Sequence, residues 1–65
     1  MSKPFSTDEL AEHLGVPVRT LAEWRYRGNG PRFAKVGRHI RYRREDVDAW
    51  LGERTRQRTG DRASA

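Results

Sequence analysis

The sequence predicts one small α+β domain: two short helices, a β-hairpin and a third helix. Three observations predict it. Apolar residues recur at helical spacing at Leu10, Ala11 and Leu14, at Leu21 and Trp24, and at Val47, Trp50 and Leu51. Ile40 and Tyr42 alternate with His39, Arg41 and Arg43, a strand pattern with one polar face. Gly15 and the run Gly28-Asn29-Gly30-Pro31 break the periodicity where such elements must turn.

The first helix is predicted over residues 7–14. Ser6-Thr7-Asp8-Glu9 reads as a capping box, with the Ser6 hydroxyl accepting from the Glu9 backbone and the Glu9 carboxylate reaching back to Ser6. Asp8 and Glu9 place negative charge at the positive end of the helix dipole. Gly15 suits a left-handed helix end. Pro17 fits a first helical position, where its missing N–H costs nothing, so the second helix is predicted over residues 17–27 and stops at Gly28.

Residues 33–43 form the hairpin. A three-residue loop, Gly37 to His39, pairs Val36 with Ile40 and Ala34 with Tyr42 on one apolar face. A two-residue loop sets Val36 beside His39 and Arg41. The cleaner alternation of faces favours the first. The third helix starts at Arg44, with Glu45 and Asp46 in its first turn and Val47, Trp50 and Leu51 as its stripe. From residue 52 onward the chain is rich in Arg, Thr and Ser. It reads as a solvated helix extension fraying into a disordered tail. The organisation is therefore a domain over residues 1–51 and a basic extension over residues 52–65. The expected core is Phe5, Leu10, Leu14, Val16, Leu21, Trp24, Phe33, Val36, Ile40, Val47, Trp50 and Leu51.

Composition limits what such a domain does. The chain has 65 residues, 34% of them hydrophobic, so its core is small. It has no cysteine, which excludes disulfides and a thiolate zinc site and suits a reducing cytoplasm. No apolar run exceeds three residues, so neither a transmembrane span nor a signal peptide is expected. His13 and His39 fall on different elements, so no metal or cofactor is expected. Ser6 already has a capping role, and no other residue constellation suggests an enzyme. Gly28-Asn29-Gly30 follows no strand and is a turn rather than a phosphate-binding loop. Trp24 and Trp50 lie on apolar stripes, which makes them core residues rather than stacking platforms.

The net charge of +5 is segregated. Arg25, Arg27, Arg32, Lys35, Arg38, Arg41, Arg43 and Arg44 fall in residues 24–44 with no acid among them, while the flanks are net acidic. Plain solubility is served by mixed charge; a block of one sign is the footprint of a polyanion partner, most commonly nucleic-acid phosphate. Two helices joined by a Gly-containing turn form a helix-turn-helix, whose second helix enters the DNA major groove, and a hairpin behind it is a wing. The block covers the end of the second helix and both wing strands. Charge and topology thus lead to the same fold, a winged helix-turn-helix.

Residues 6–21, with Val36-Gly37-Arg38-His39-Ile40-Arg41-Tyr42 and Arg44-Glu45-Asp46-Val47-Asp48-Ala49-Trp50-Leu51, resemble the opening, wing and closing helix of the excisionase and MerR-like DNA-binding domains. The resemblance covers roughly residues 5–51, with three motifs in order. A small chain rich in Arg rather than Lys is similar to the excisionases of actinobacterial phages. The resemblance implies a recombination directionality factor without strand chemistry of its own. Such a factor binds and bends attachment-site DNA, and turns an integrase toward excision and away from integration.

In the second helix, Arg19 faces away from Leu21 and Trp24 and is placed to grip guanine O6 and N7 bidentately. Thr20 donates to a phosphate or to its own helix backbone. Glu23 accepts from cytosine N4, or orients Arg19 or Arg27 by an i,i+4 pair, the role favoured here. Tyr26 and Arg27 lie where phosphate contact outweighs base contact. Arg25 lays its stem along apolar surface. In the wing, Arg38 sits at the tip and suits a narrow A·T-rich minor groove. Lys35, Arg41 and Arg43 are expected to contact phosphates from one polar face, with His39 as a further phosphate contact.

The expected partners are double-stranded DNA, a phage integrase and further copies aligned head to tail on one site. The chain is expected to be a cytoplasmic monomer when free and to have no membrane partner. A small transcriptional regulator uses the same domain and is the alternative reading. A basic protein-interaction module docking on an integrase is a reading of a different class.

Overall fold

The computed structural model describes the backbone of residues 3–64 and the side chains of residues 3–55. The order of elements is β1 (Phe5–Ser6), α1 (Thr7–Leu14), α2 (Val18–Arg27), β2 (Ala34–Val36), β3 (His39–Tyr42) and α3 (Arg44–Ser64). The strands form one antiparallel sheet in the order β1-β3-β2. Helices α1 and α2, the hairpin wing and α3 make a small winged helix-turn-helix.

The capping box forms as the sequence predicts. The Glu9 backbone N–H donates to Ser6 Oγ at 3.1 Å, and the Ser6 N–H donates to Glu9 Oε1 at 2.9 Å. That backbone bond is the largest reason why the Glu9 carboxyl titrates below its usual range. Both short helices end as expected, at Gly15 and Gly28. The Val16 N–H reaches Ala11 O at 3.0 Å, and the Asn29 N–H reaches Trp24 O at 2.7 Å. These six-to-one bonds satisfy carbonyls that a helix end leaves open. Pro17 differs from expectation. Its ψ of 151° is extended, so it is the N-cap of α2 and not its first helical residue. The Thr20 N–H donates to Pro17 O at 3.0 Å and closes the first turn.

The wing register also differs. Ala34 pairs with Arg41, Lys35 with Ile40 and Val36 with His39, which leaves a two-residue loop of Gly37 and Arg38. Gly37 has φ +63°, while no non-glycine residue among those described has positive φ. A two-residue hairpin with glycine at its first loop position matches the twist of the flanking strands, and this outweighs a tidier apolar face. The consequence is a shift of faces. Phe33 and Lys35 now lie on the side of Ile40 and Tyr42, while Ala34 and Val36 lie with His39 and Arg41. Val36 is accordingly 58% exposed and Phe33 43%, so neither belongs to the core.

The core is Phe5, Leu10, Ala11, Leu21, Tyr42 and Val47, with Leu14, Val16, Trp24, Ile40 and Leu51 packed against it. Fully burying a residue such as Leu10, Leu21 or Val47 contributes about 1.5–3 kcal/mol. Phe5 enters this core through a strand too short to carry a periodic sequence signal: β1 pairs Phe5 with Tyr42 and Ser6 with Arg41. Trp24 packs against this core, whereas Trp50, expected in it, is half-buried outside it and meets Trp24 at 5.4 Å between ring centroids. The backbone of α3 is helical to Ser64, through the extension expected to be helical at its start. The side chains of residues 56–65 lie outside the described residues, and the expectation of a disordered tail falls mostly on them.

Gly30 combines φ +82° with a missing Cβ that would stand 2.9 Å from Trp24 Cε3. Gly28 has similar backbone geometry, φ +78°, but open space around it. Gly30→Ala is therefore expected to cost more than Gly28→Ala, with backbone strain alone about 1–3 kcal/mol in each. Thermal unfolding followed by circular dichroism measures both, and equal losses would contradict the packing assigned to Trp24. Ser6→Ala is expected to lose about 1 kcal/mol with the cap. The Glu9 carboxyl is shifted down on folding, so its contribution is complete above the usual carboxylate range. It is lost as pH falls through the lower folded-state value. Urea unfolding of Glu9→Gln should accordingly show a weaker loss of stability on acidification than the parent protein.

Candidate nucleic-acid interface

The outer face of α2 follows from its inner one. Leu21 is completely buried and Trp24 is half-buried beside it. At about 100° per residue, Arg19, Ala22, Glu23 and Tyr26 then point the opposite way. Arg19, Thr20, Ala22, Glu23 and Tyr26 line one shallow surface depression. Four of the five residues singled out on this helix thus come together. Tyr26 is 91% exposed, which leaves its whole ring available.

Arg27 stands at the border of this face. Its Nη2 lies 4.0 Å from Glu23 Oε2, an exposed i,i+4 pair. Such a pair contributes about 0.3–0.5 kcal/mol, too little to be a main source of stability. The contact matches the orienting role read for Glu23. Arg19 makes no hydrogen bond or ion pair among the described residues.

In the wing, Arg38 occupies the second position of the two-residue loop and His39 begins β3. Both are exposed, as is Lys35. The common polar face expected for Lys35, Arg41 and Arg43 does not form. The register puts Lys35 across from Ile40, on the other side of the sheet from Arg41. Arg41 lies on the central strand between Ser6 and Ala34, half-buried, and donates through Nη1 to Ile40 O at 2.8 Å. Its charge also helps hold the Glu9 carboxyl down.

Arg43 lies beyond β3. Its Nε donates to Asp46 Oδ2 at 2.9 Å, its Nη2 to Asp46 Oδ1 at 3.4 Å, and its Nη1 lies 3.5 Å from Glu45 Oε2. The Asp46 hydrogen bond is the first reason that its guanidinium holds its proton even more firmly than usual. Two acids from the first turn of α3 therefore compensate this charge. The sequence pattern of alternating basic residues hid this, because Asp46 follows three residues later in another element.

Two more arginines of the basic block have structural partners. Arg25 Nη1 donates to Tyr42 Oη at 2.7 Å, and its guanidinium carbon stands 5.8 Å from the Phe33 centroid. Arg44 Nε donates to Lys3 O at 2.9 Å, with its guanidinium 4.2 Å from the Phe5 centroid. The sequence gives Arg25 an apolar bed but holds no signal for a partner 17 positions away. Arg32, Lys35 and Arg38 join Arg19 as cations without a hydrogen bond or ion pair among the described residues.

No group of acids and histidines among the described residues is placed to hold a metal ion. No helix among them is long and apolar enough to cross a membrane. Residues 5–55 match the sequence profile of a family described as a helix-turn-helix domain. No curated protein matches the chain.

The division between compensated and uncompensated cations predicts a ranking. Lys35→Ala and Arg38→Ala should each reduce the salt dependence of DNA affinity by about one phosphate contact. Arg43→Ala should leave that slope nearly unchanged and act on stability. Fluorescence anisotropy with a labelled duplex at several salt concentrations reads the slopes. A slope lowered as much by Arg43→Ala as by Arg38→Ala contradicts the ranking.

Proposed function

Because the chain belongs to the helix-turn-helix domain family, we propose that it is a sequence-specific, DNA-bending excisionase, which turns an integrase toward excision of integrated phage DNA. A helix-turn-helix domain is a DNA-binding module, and the family is generally non-enzymatic. One observation carries the proposal furthest: the exposed stripe of Arg19, Ala22, Glu23 and Tyr26 on α2 stands back to back with buried Leu21, beside a wing whose tip cation is uncompensated.

In this reading α2 lies in a major groove. Arg19 reads guanine, Glu23 orients Arg27, and Thr20, Tyr26 and Arg27 touch the backbone. The wing reaches the flanking minor groove through Arg38, with Lys35 on one side of the sheet and His39 on the other toward phosphates, while Arg41, half-buried and bonded to Ile40 O, stays with the sheet. Arg38 is four residues along the hairpin from Tyr42, a rise of about 13 Å. That is comparable with the half-turn of about 17 Å between a major groove and the next minor groove. Arg43, though expected among the phosphate contacts, serves α3 instead.

Bending supports the finer role only if several copies share a site. One domain covers about one major groove and its neighbour, whereas bending 20–30 bp by 40–90° costs about 1–6 kcal/mol. Copies aligned head to tail distribute that cost. The resemblance of residues 5–51 to excisionase domains supports the link to integrase.

Two measurements test the proposal. If the uncompensated cations of these two surfaces, Arg19, Lys35 and Arg38, each displace one counterion from the duplex, the log–log salt slope is about −2.7, a loss of about 40-fold between 50 and 200 mM salt. Binding to a duplex that ignores salt points instead to a protein-docking role for the basic surface. Adding the protein to integrase and prophage-junction DNA is expected to raise excision and to shift circularly permuted fragments as a bend does. DNA binding without bending or excision leaves a transcriptional regulator as the function.

A further inference from the structure

A helix and a wing can serve two grooves of one duplex only if their separation is fixed. Apolar packing fixes it weakly here. All three residues of β2 are exposed, and Phe33 and Val36 keep 43% and 58% of their surface in solvent. A two-stranded hairpin has little stability of its own. Between α2 and the sheet, the described residues offer one hydrogen bond, from Arg25 to Tyr42.

We propose that Arg25 is a positioning residue, which locks the wing to α2 through Tyr42 so that Arg38 engages DNA only while that bond is intact. The inference rests on α2 and the wing being the DNA interface. Arg25 lies about 40° around the helix from buried Leu21, on the flank of α2 and away from the stripe that carries Arg19 and Glu23. Its Nη1 donates to Tyr42 Oη at 2.7 Å, and Phe33 stands under the guanidinium at 5.8 Å and beside Tyr42 at 6.1 Å. Tyr42 is 1% exposed, so little water competes for the acceptor. A charged donor on a sheltered hydroxyl makes a strong, directional bond. Tyr42, like Arg41, is paired with β1 at the end of β3 far from the loop, so the bond grips the sheet at its fixed end and leaves the tip to project.

A double-mutant cycle separates positioning from ordinary stability and from direct DNA contact. Tyr42→Phe keeps the ring and the Arg25 charge but removes the acceptor. In the parent protein Arg38→Ala is expected to weaken DNA binding about tenfold. In the Tyr42→Phe background it should cost less than about threefold, because the wing is no longer held in place. Arg19→Ala should cost the same in both backgrounds. A folded Tyr42→Phe protein in which Arg38→Ala still costs tenfold overturns the proposal.

Should Tyr42→Phe fail to fold, the same cycle is run with Arg25→Met, which keeps the stem and removes the donor. Salt titration distinguishes a phosphate-contacting Arg25: Arg25→Met would then lower the salt slope while Tyr42→Phe would not, which also overturns the proposal. In the parent protein itself, guanidinium rotation measured by nitrogen NMR should be slower for Arg25 than for Arg38. Equal rotation overturns the lock without any substitution. Failure of the underlying interface is recognised separately, as salt-independent duplex binding by the parent protein.

Discussion

Tyr42 is the point at which three segments of this small chain are forced together. Its ring is buried on the central strand, opposite Phe5 of the N-terminal strand and beside Phe33 of the wing. Its hydroxyl accepts from Arg25 of α2. A domain of this size buries only about 60% of its unfolded surface, and the described residues form a single core cluster. Tyr42 therefore bears on the placement of the helix-turn-helix relative to the wing, together with Ile40, which packs on the same core. The polar end of Tyr42 is as important as its ring, since an unpaired buried hydroxyl would cost free energy.

That constraint also explains how the basic block is used. A chain of few apolar residues cannot attach every element through its core, and several arginines serve as attachments instead. Arg44 closes over Phe5 and bonds the backbone of Lys3, Arg43 ties β3 to the start of α3, and Arg25 ties α2 to the sheet. Arginine suits the task because its planar fork donates several bonds while its face lies on aromatic rings. Arg19 at the start of α2, and within the block Arg32 in the following loop and Lys35 and Arg38 on the wing, have no hydrogen bond or ion pair among the described residues. Counting the block as eight equal phosphate contacts overstates its affinity and misses its role in the fold.

Much of the fold was legible in the sequence where the signal is local. The capping box at Ser6, the helix ends at Gly15 and Gly28, and the start of α3 at Arg44 all depend on residues within a few positions of one another. The short strand at Phe5 was not legible, because two residues carry no periodicity and its partner Tyr42 is far along the chain. The wing register departs from the sequence pattern for a physical reason: glycine geometry in a two-residue loop prevails over the apolar face that Ala34 and Val36 would share with Ile40 and Tyr42. On α2, the outward stripe of Arg19, Glu23 and Tyr26 follows from helical spacing alone. In the wing, the fates of Lys35 and Arg43 do not, because they depend on cross-strand register and on Asp46.

In the proposed complex a recognition stripe on α2 and a wing tip at Arg38 are joined through buried Tyr42, with specificity expected near Arg19 and affinity shared by the uncompensated cations. These two surfaces, and no others, are proposed to meet DNA. Titrating nitrogen-labelled protein with a duplex and following each backbone amide by NMR addresses this most directly. Shifts are expected to concentrate at Arg19, Thr20, Glu23, Tyr26 and Arg27 and around Lys35, Arg38 and His39, with Asp8, Glu12 and Asp48 unchanged. Shifts centred on α1 or α3 that leave α2 and the wing tip unmoved would contradict the proposal.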